Sequence, residues 1–254
     1  AGGVVAADGV AKAAPDGLTL LLMSNANAVS AGLFERLPFD TVRDFAPVST
    51  LGTFDLALVT AADSKFKSMA DLLAHANANP GKLNIGSINV GSSPHLAAEL
   101  LKRSAGIEAQ VVPFNGSPAM ITALRGGQID AGVEILAPIL GQINGQALRA
   151  LATLGERRSF ALPATPTIAE SGLPGFNVTS WNALAAPART PPEVIARLHR
   201  ETIQALASPE VRERLHAIGV DAAGSTPQQL GKLLGDEIRR WSEVIRQAGI
   251  AKQY

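Results

Sequence analysis

A chain of 254 residues with 46% hydrophobic side chains can bury a substantial core, as one large domain or as two smaller lobes. Its 22 Lys and Arg residues balance its 22 Asp and Glu residues, so no net field draws in nucleic acid or a membrane surface. The absence of Cys excludes disulfides and thiolate chemistry, and no apolar run approaches the roughly 20 residues of a membrane helix.

Hydrophobic periodicity predicts strands that alternate with helices. In the first half the predicted elements are a helix at 6–14, a strand at 18–23, an extended region at 48–60, a helix from Ser68 and a strand at 83–88. In the second half they are a strand at 110–114, a helix from Ala119, a strand at 129–135, a helix at 137–146, a strand at 148–154, a short helix at 168–171, an extended segment at 176–187, and helices from Thr190, Ser208 and Thr226. The apolar stripe of the last helix places Trp241 in the core.

Two long extended segments, near 48–60 and 176–187, interrupt the alternation of strands and helices. We interpret them as crossings between two lobes, with the second lobe inserted into the first. Lobe II is predicted at 58–181, and lobe I is predicted to be discontinuous, at 1–57 and 182–254. A crevice between lobes is where a small molecule would bind.

Two loops of small residues each lead from a predicted strand into a predicted helix. In the first, Ser93 is predicted as the N-cap and Pro94 as the first helical residue, whose missing N–H would have no helical partner. Helix N-termini on one side of an α/β sheet can bind a carboxylate through backbone N–H groups, without Lys or Arg. The alternative for each loop is a capped helix start that binds only water. The candidate residues of the two loops are Gly91, Ser92, Ser93, His95, Asn115, Gly116 and Ser117.

Polar residues at three further places complete the candidate ligand contacts. Ser24, Asn25 and Asn27 follow the strand at 18–23, at the strand end where a site would lie. Asp130 and Glu134 lie four apart on the predicted strand at 129–135, and therefore face the same way. We favour Glu134 as a contact for a ligand amine or as a rim charge over the pair as catalytic carboxylates. Trp181 lies in the middle of the second extended segment.

Enzyme classes find little support among the motifs. Ser92 or Ser93 beside His95 lacks the Gly-x-Ser-x-Gly elbow of a hydrolase, and a His two or three residues away is poorly placed as a base. The His residues show no metal-binding spacing, and neither a P-loop nor a dinucleotide-binding glycine motif occurs. A binding module is the better interpretation. No catalytic residue, metal ligand or cofactor is predicted.

Short motifs along the whole chain follow the order and spacing of a known receptor family. They are Ala14-Pro15-Asp16-Gly17, Asp44-Phe45-Ala46-Pro47-Val48, Asn79-Pro80-Gly81-Lys82-Leu83, Gly91-Ser92-Ser93 with His95-Leu96-Ala97, Pro166-Thr167, Glu170-Ser171-Gly172, and Ala186-Pro187 with Thr190-Pro191. In these motifs the chain resembles the Bug family, the periplasmic solute receptors of tripartite tricarboxylate transporters.

The resemblance implies an α/β protein with the two-lobed type II periplasmic-binding-protein fold, an interlobe ligand cleft and two crossing strands. It implies capture of a small carboxylate, which could be a dicarboxylate, a tricarboxylate, an acidic amino acid or an aromatic acid. Loop N–H groups, hydroxyls and bridging waters would hold this ligand instead of a salt bridge. The implied partner is the membrane permease of the transporter, the implied location is the periplasm, and the implied oligomeric state is a monomer.

The chain departs from the family pattern in three places. The family's first strand and Gly-rich loop are expected to precede Ala1. Asn115 stands where the family tends to have Lys, which removes one positive charge. Ala183 stands where a Gly often follows the Trp by two residues. The identity of the carboxylate therefore stays open.

Two other functional classes remain as alternatives to transport. A ligand-sensing subunit for a membrane sensor kinase would have the same sequence features, and a serine-dependent hydrolase is the weaker choice. A transcription regulator of the same fold would carry a helix-turn-helix segment and a basic patch, and neither is visible.

Overall fold

The structure, a computed structural model, describes residues 3–254. The chain divides into two compact units. One contains the chain up to Thr53 together with Trp181–Tyr254, and the other is the continuous segment Phe54–Ser180. Ala1 and Gly2, the first two residues of predicted lobe I, lie outside the described residues. The lobe boundaries taken from the sequence stay a prediction.

Helices and strands alternate through most of the described residues. The strands are β1 (Leu21–Ser24), β2 (Phe45–Ala61), β3 (Leu83–Ile88), β4 (Ala109–Phe114), β5 (Ala131–Ile135), β6 (Leu148–Thr153), β7 (Thr179–Pro187) and β8 (Val220–Ala222). The helices are α1 (Val4–Ala11), α2 (Asn25–Leu33), α3 (Met69–Ala78), α4 (Ser93–Ser104), α5 (Ser117–Arg125), α6 (Leu136–Asn144), α7 (Pro192–Ala207), α8 (Pro209–Ala217) and α9 (Pro227–Gln247). Within the described residues, no helix is both long and apolar enough to cross a bilayer.

A mixed sheet forms the centre of the continuous unit. Strand β3 pairs in parallel with both β4 and β5, and β2 pairs antiparallel with β5 and β6. The parallel pairs are joined by helices, as parallel connections require, because a short turn cannot return the chain to the start of the next strand. Strands β3, β4 and β5 therefore all end at the same edge of the sheet, and α4, α5 and α6 begin there.

Met120 anchors α5 to one face of this sheet and is fully buried. It occupies the space left by two glycines, because an added Cβ would lie 3.2 Å from Met120 Cγ at Gly86 and 2.7 Å from Met120 Sδ at Gly132. The surrounding core includes Ala57, Val59 and residues of α5 and α6. The missing side chains of β3 and β5 thus let α5 lie close to the strands.

The discontinuous unit has its own strand pair and core. Strands β1 and β7 pair antiparallel, with Leu21 opposite Ala185 and Ser24 opposite Asn182. Trp241 of α9 is fully buried, which confirms its predicted place in the core. Its indole N–H donates to Asn25 Oδ1 at 2.8 Å and to Glu237 Oε2 at 2.6 Å.

One helix was not predicted from the sequence, and one predicted helix is wrong. No helix was predicted directly after the first strand, where Asn25–Leu33 form α2 with Ser24 as its N-cap. The predicted short helix at 168–171 is a series of turns. Thr167 and Glu170 do make reciprocal side-chain bonds of the capping-box type, with Thr167 N–H donating to Glu170 Oε2 at 2.7 Å and Glu170 N–H donating to Thr167 Oγ1 at 3.1 Å. Gly172 then adopts a φ of +112°, which ends the helical path.

Candidate ligand-binding site

The loop between β3 and α4 is held together by its own hydrogen bonds. Ser92, not Ser93, is the N-cap of α4, because Ser92 is extended and its hydroxyl accepts the His95 N–H at 3.2 Å. The same hydroxyl donates to the Ile88 carbonyl. Ser93 is already helical, and this moves Pro94 and His95 to the second and third helical positions. Both hydrogen-bonding roles of the Ser92 hydroxyl are therefore used within the loop.

His95 is buried beneath this loop and accepts a bond from it. Gly91 N–H donates to His95 Nδ1 at 3.4 Å, which requires the ring proton on Nε2. Burial lowers the pKa of His95, Glu99 partly offsets this effect, and Lys102 adds to it. The ring is therefore neutral over a wider pH range than a free imidazole, and its contact with Gly91 shapes the loop.

Replacing Ser92 with Ala is expected to lower the free energy of unfolding by about 1 kcal/mol, the usual effect of losing an N-cap. Ser93→Ala is the matched control, because the Ser93 hydroxyl lies 3.4 Å from the Ser180 hydroxyl and does not cap the helix. Urea denaturation of both variants measures the difference. An equal or larger loss in Ser93→Ala would contradict the assignment of the cap.

The loop between β4 and α5 lies beside the first loop. The Phe114 carbonyl accepts both Asn89 N–H, at 2.9 Å, and Gly116 N–H, at 3.0 Å, and so joins the two loops. Gly116 is the N-cap of α5 with a φ of +92°, and it has no side chain to cap the helix. Ser117 is the first helical residue and is half-buried, while Asn115 is exposed. The N-termini of α4 and α5 are thereby held next to each other.

Glu134 lies at the end of β5 and is 0% exposed. Its Oε1 accepts the Ile135 N–H at 2.7 Å, whereas its Oε2 is buried without a hydrogen-bond partner. Burial raises the pKa of this carboxyl, and the Ile135 N–H and the Ser117 hydroxyl lower it by less. The contribution of Glu134 to stability is therefore present at low pH and is lost as the pH rises through its raised pKa. Ser117 and Glu134 thus belong to one cluster.

Asp130 does not share the position of Glu134. The strand begins at Ala131, so Asp130 precedes it, and its Oδ2 accepts the Asn84 N–H at 2.9 Å. The interpretation of the two residues as a carboxylate pair on one strand is therefore wrong.

Three of the four candidates in the discontinuous unit have structural partners, namely Ser24, Asn25 and Asn27. Ser24 N–H donates to Asn27 Oδ1 at 2.9 Å, and the Ser24 hydroxyl caps α2 in return. Asn25 is fully buried against Trp241. Trp181 is also buried, and its indole N–H has no hydrogen-bond partner. Trp181 therefore keeps an unused indole donor.

Thr153 is a buried polar residue that the sequence analysis did not select. Its hydroxyl has no hydrogen-bond partner. Thr153 of β6 pairs with Ala57 of β2, and Ala57 also pairs with Glu134 of β5. A Thr at a strand end carries no sequence signal of this kind, because the signal depends on strand register. The described residues contain no group of three or more His, Asp or Glu side chains able to hold a metal ion.

Comparison with known proteins assigns the family. Residues 1–250 match the family described as tripartite tricarboxylate transporter family receptor. The chain belongs to this receptor family. Its relative BugT, from Bordetella pertussis, is 38% identical over 251 residues, which cover 98% of this chain and 77% of BugT.

Solved structures agree with the fold of this family member. The R. palustris protein Rpa4515, determined with adipate, has a TM-score of 0.84 and 31% identity, covering 99% of this receptor and 84% of that chain. MatC from Rhodopseudomonas palustris, with bound malate, has a TM-score of 0.76 and 30% identity, covering 96% of this receptor and 85% of that chain. The predictions of the family, of the periplasmic-binding-protein fold and of a solute receptor that is not an enzyme are confirmed.

Proposed function

We propose that this receptor captures a small carboxylate in the periplasm and delivers it, as a monomer, to the membrane permease of a tripartite transporter. The observation that carries the proposal is the Phe114 carbonyl, which joins the loops that begin α4 and α5. Two helix N-termini side by side form an electropositive site for a carboxylate. The loop residues from Asn89 to His95 and from Asn115 to Pro118 include no Lys or Arg, so this carboxylate is held without a salt bridge.

The ligand-binding residues of the proposal divide by how freely their groups can reach a ligand. Asn115 is exposed, and Gly116 and Ser117 open a helix whose first N–H groups have no side-chain cap, so these three residues would contact the carboxylate directly. Ser92, Gly91 and His95 would shape the neighbouring loop. The relatives Rpa4515, with adipate, and MatC, with malate, support a dicarboxylate.

A thermal-shift screen tests the proposal. Adipate, malate, succinate and glutamate are each added, with the diamide of adipic acid as the uncharged control. A bound acid at a hundred times its dissociation constant should stabilise the folded protein by about 2.7 kcal/mol. If no carboxylate raises the melting temperature, the proposed ligand class is wrong.

Ser117→Ala should weaken binding of the acid found in this screen by about fivefold, since one hydrogen bond contributes about 1 kcal/mol. Ser104→Ala is the matched control, because Ser104 is an exposed serine at the far end of α4. Isothermal titration of both variants gives the affinities. If Ser117→Ala binds the acid as tightly as wild type, the N-terminus of α5 is not part of the binding site.

A further inference from the structure

Strand register places Glu134 and Thr153 on the same face of the sheet. Ala57 of β2 pairs with Glu134 of β5 on one side and with Thr153 of β6 on the other. Side chains of paired residues in an antiparallel ladder point to the same face. The two polar residues therefore flank the small Ala57 side chain, with their Cα atoms about 10 Å apart, twice the spacing of neighbouring strands.

Both residues present a buried polar atom with no partner. Glu134 and Thr153 are each 0% exposed, and neither Glu134 Oε2 nor Thr153 Oγ1 makes a hydrogen bond. A buried polar atom without a partner costs about 1–3 kcal/mol, so native proteins rarely contain two of them around one small side chain. The arrangement indicates a place for a polar group supplied from outside the chain.

No positive charge of this unit faces Glu134. The charged residue that strand register places on its face is acidic, namely Asp55, two residues before Ala57 and beside Gly155, whereas Asp130 precedes β5 and its Oδ2 accepts the Asn84 N–H. Arg149 of β6 pairs with Thr60 of β2. Val59 points to the same face as Ala57, so Thr60, the next residue, points to the opposite face, and Arg149 lies there with it. Helix α6 carries no charged residue, and α5 contributes the Ser117 hydroxyl. An ionised Glu134 would thus have no cation to balance it.

The surrounding helix ends favour an incoming carboxylate. Helices α5 and α6 both begin at this edge of the sheet, and neither N-cap, Gly116 or Ile135, contributes a side-chain bond. An anionic ligand group suits these N-termini but would meet a second negative charge if Glu134 were ionised. Two carboxyl groups at one place relieve that repulsion by sharing a proton.

We propose that Glu134 and Thr153 form the inner end of the ligand site, and that Glu134 donates a carboxyl proton from Oε2 to a carboxylate of the ligand, so that binding takes up a proton from solution. This inference rests on the proposed function and adds its regulation by pH. The buried state of the Glu134 carboxyl, with its raised pKa, is consistent with it. Affinity then falls as the pH rises, by up to about tenfold per pH unit above the pKa of Glu134 in the free protein.

Isothermal titration with adipate, or with malate if adipate does not bind, measures this proton. Titrations at several pH values at which the acid is fully ionised, each in two buffers of different ionisation enthalpy, give the number of protons taken up per ligand. At pH values above the pKa of Glu134 in the free protein, the wild-type protein should take up about one proton. Glu134→Gln should bind with no proton uptake and with an affinity that does not change with pH, because its amide donates at every pH.

Thr153→Val is the second variant, chosen because it keeps the shape of the side chain. It should bind about fivefold more weakly than wild type, as expected for the loss of one hydrogen bond, and should keep the proton uptake. Binding without proton uptake in the wild-type protein, or with proton release, would overturn the inference and leave the proposed function standing. If neither acid binds and the screen finds no other, the proposed function fails, and the inference fails with it.

Discussion

Trp241→Ala is expected to remove about 3–5 kcal/mol from the free energy of unfolding, the range for deleting a large buried aromatic side chain. Trp241 is fully buried, and it is the donor that satisfies both Asn25 Oδ1 and Glu237 Oε2. The loss is a large part of the 5–15 kcal/mol typical of whole domains. Urea denaturation gives the size of the effect, and hydrogen exchange should show faster exchange in α2 and α9.

Trp241→Phe separates packing from hydrogen bonding in this cluster. It keeps most of the ring but removes the indole donor from the buried acceptors Asn25 Oδ1 and Glu237 Oε2, which should cost about 1–3 kcal/mol. Asn25→Ala should destabilise the protein similarly while the remaining folded molecules bind carboxylate with unchanged affinity. Loss of affinity in Asn25→Ala without loss of stability would contradict the structural role of Asn25.

Met120→Ala is expected to cost about 2–5 kcal/mol and to weaken ligand binding as well. Met120 fills the space above Gly86 and Gly132, so its loss leaves a cavity between α5 and the sheet. Because α5 begins at Ser117, movement of this helix displaces the proposed carboxylate contacts. Urea denaturation and titration with the acid found in the screen measure the two effects.

Met120→Leu is the control, because a change that conserves volume usually costs less than about 1.5 kcal/mol. It should retain both stability and affinity. If Met120→Ala lowers stability but binds the acid as tightly as wild type, the position of α5 does not govern the site.

The elements that are bounded by clear turn residues could be predicted from the sequence. The strand at 83–88 is found at Leu83–Ile88, because Pro80-Gly81 and the Asn89-Val90-Gly91 turn bound a short apolar run. Helix α2 was missed because its capping box uses Asn27 where Glu or Gln is the usual signal. The turns at 168–171 show the reverse case, a complete helix-start signal whose helix does not continue. Local signals therefore indicate where a helix can begin, and the following residues decide whether it does.

The candidate site could be predicted only where it depends on local sequence. The two loops of small residues were identifiable, since a Gly, a Ser and a Pro before an apolar run are typical of a helix start. The hydrogen-bond partners within the first loop could not be predicted, because the choice of Ser92 over Ser93 as the N-cap depends on the backbone angles of both residues. Thr153 was not identifiable either, because its relation to Glu134 exists only through the register of β2 with two other strands.

The division of the chain has a consequence for the order in which the protein folds during synthesis. Phe54–Ser180 is continuous, so every contact of that unit is available once Ser180 has left the ribosome. The other unit depends on contacts such as that of Trp241 with Asn25, whose partners are 216 residues apart. Closing so long a loop is entropically costly, but prior folding of the inserted segment shortens the effective distance between its ends. The nascent chain can therefore complete the continuous unit first, and α2 reaches its final packing only after α9 has been synthesised.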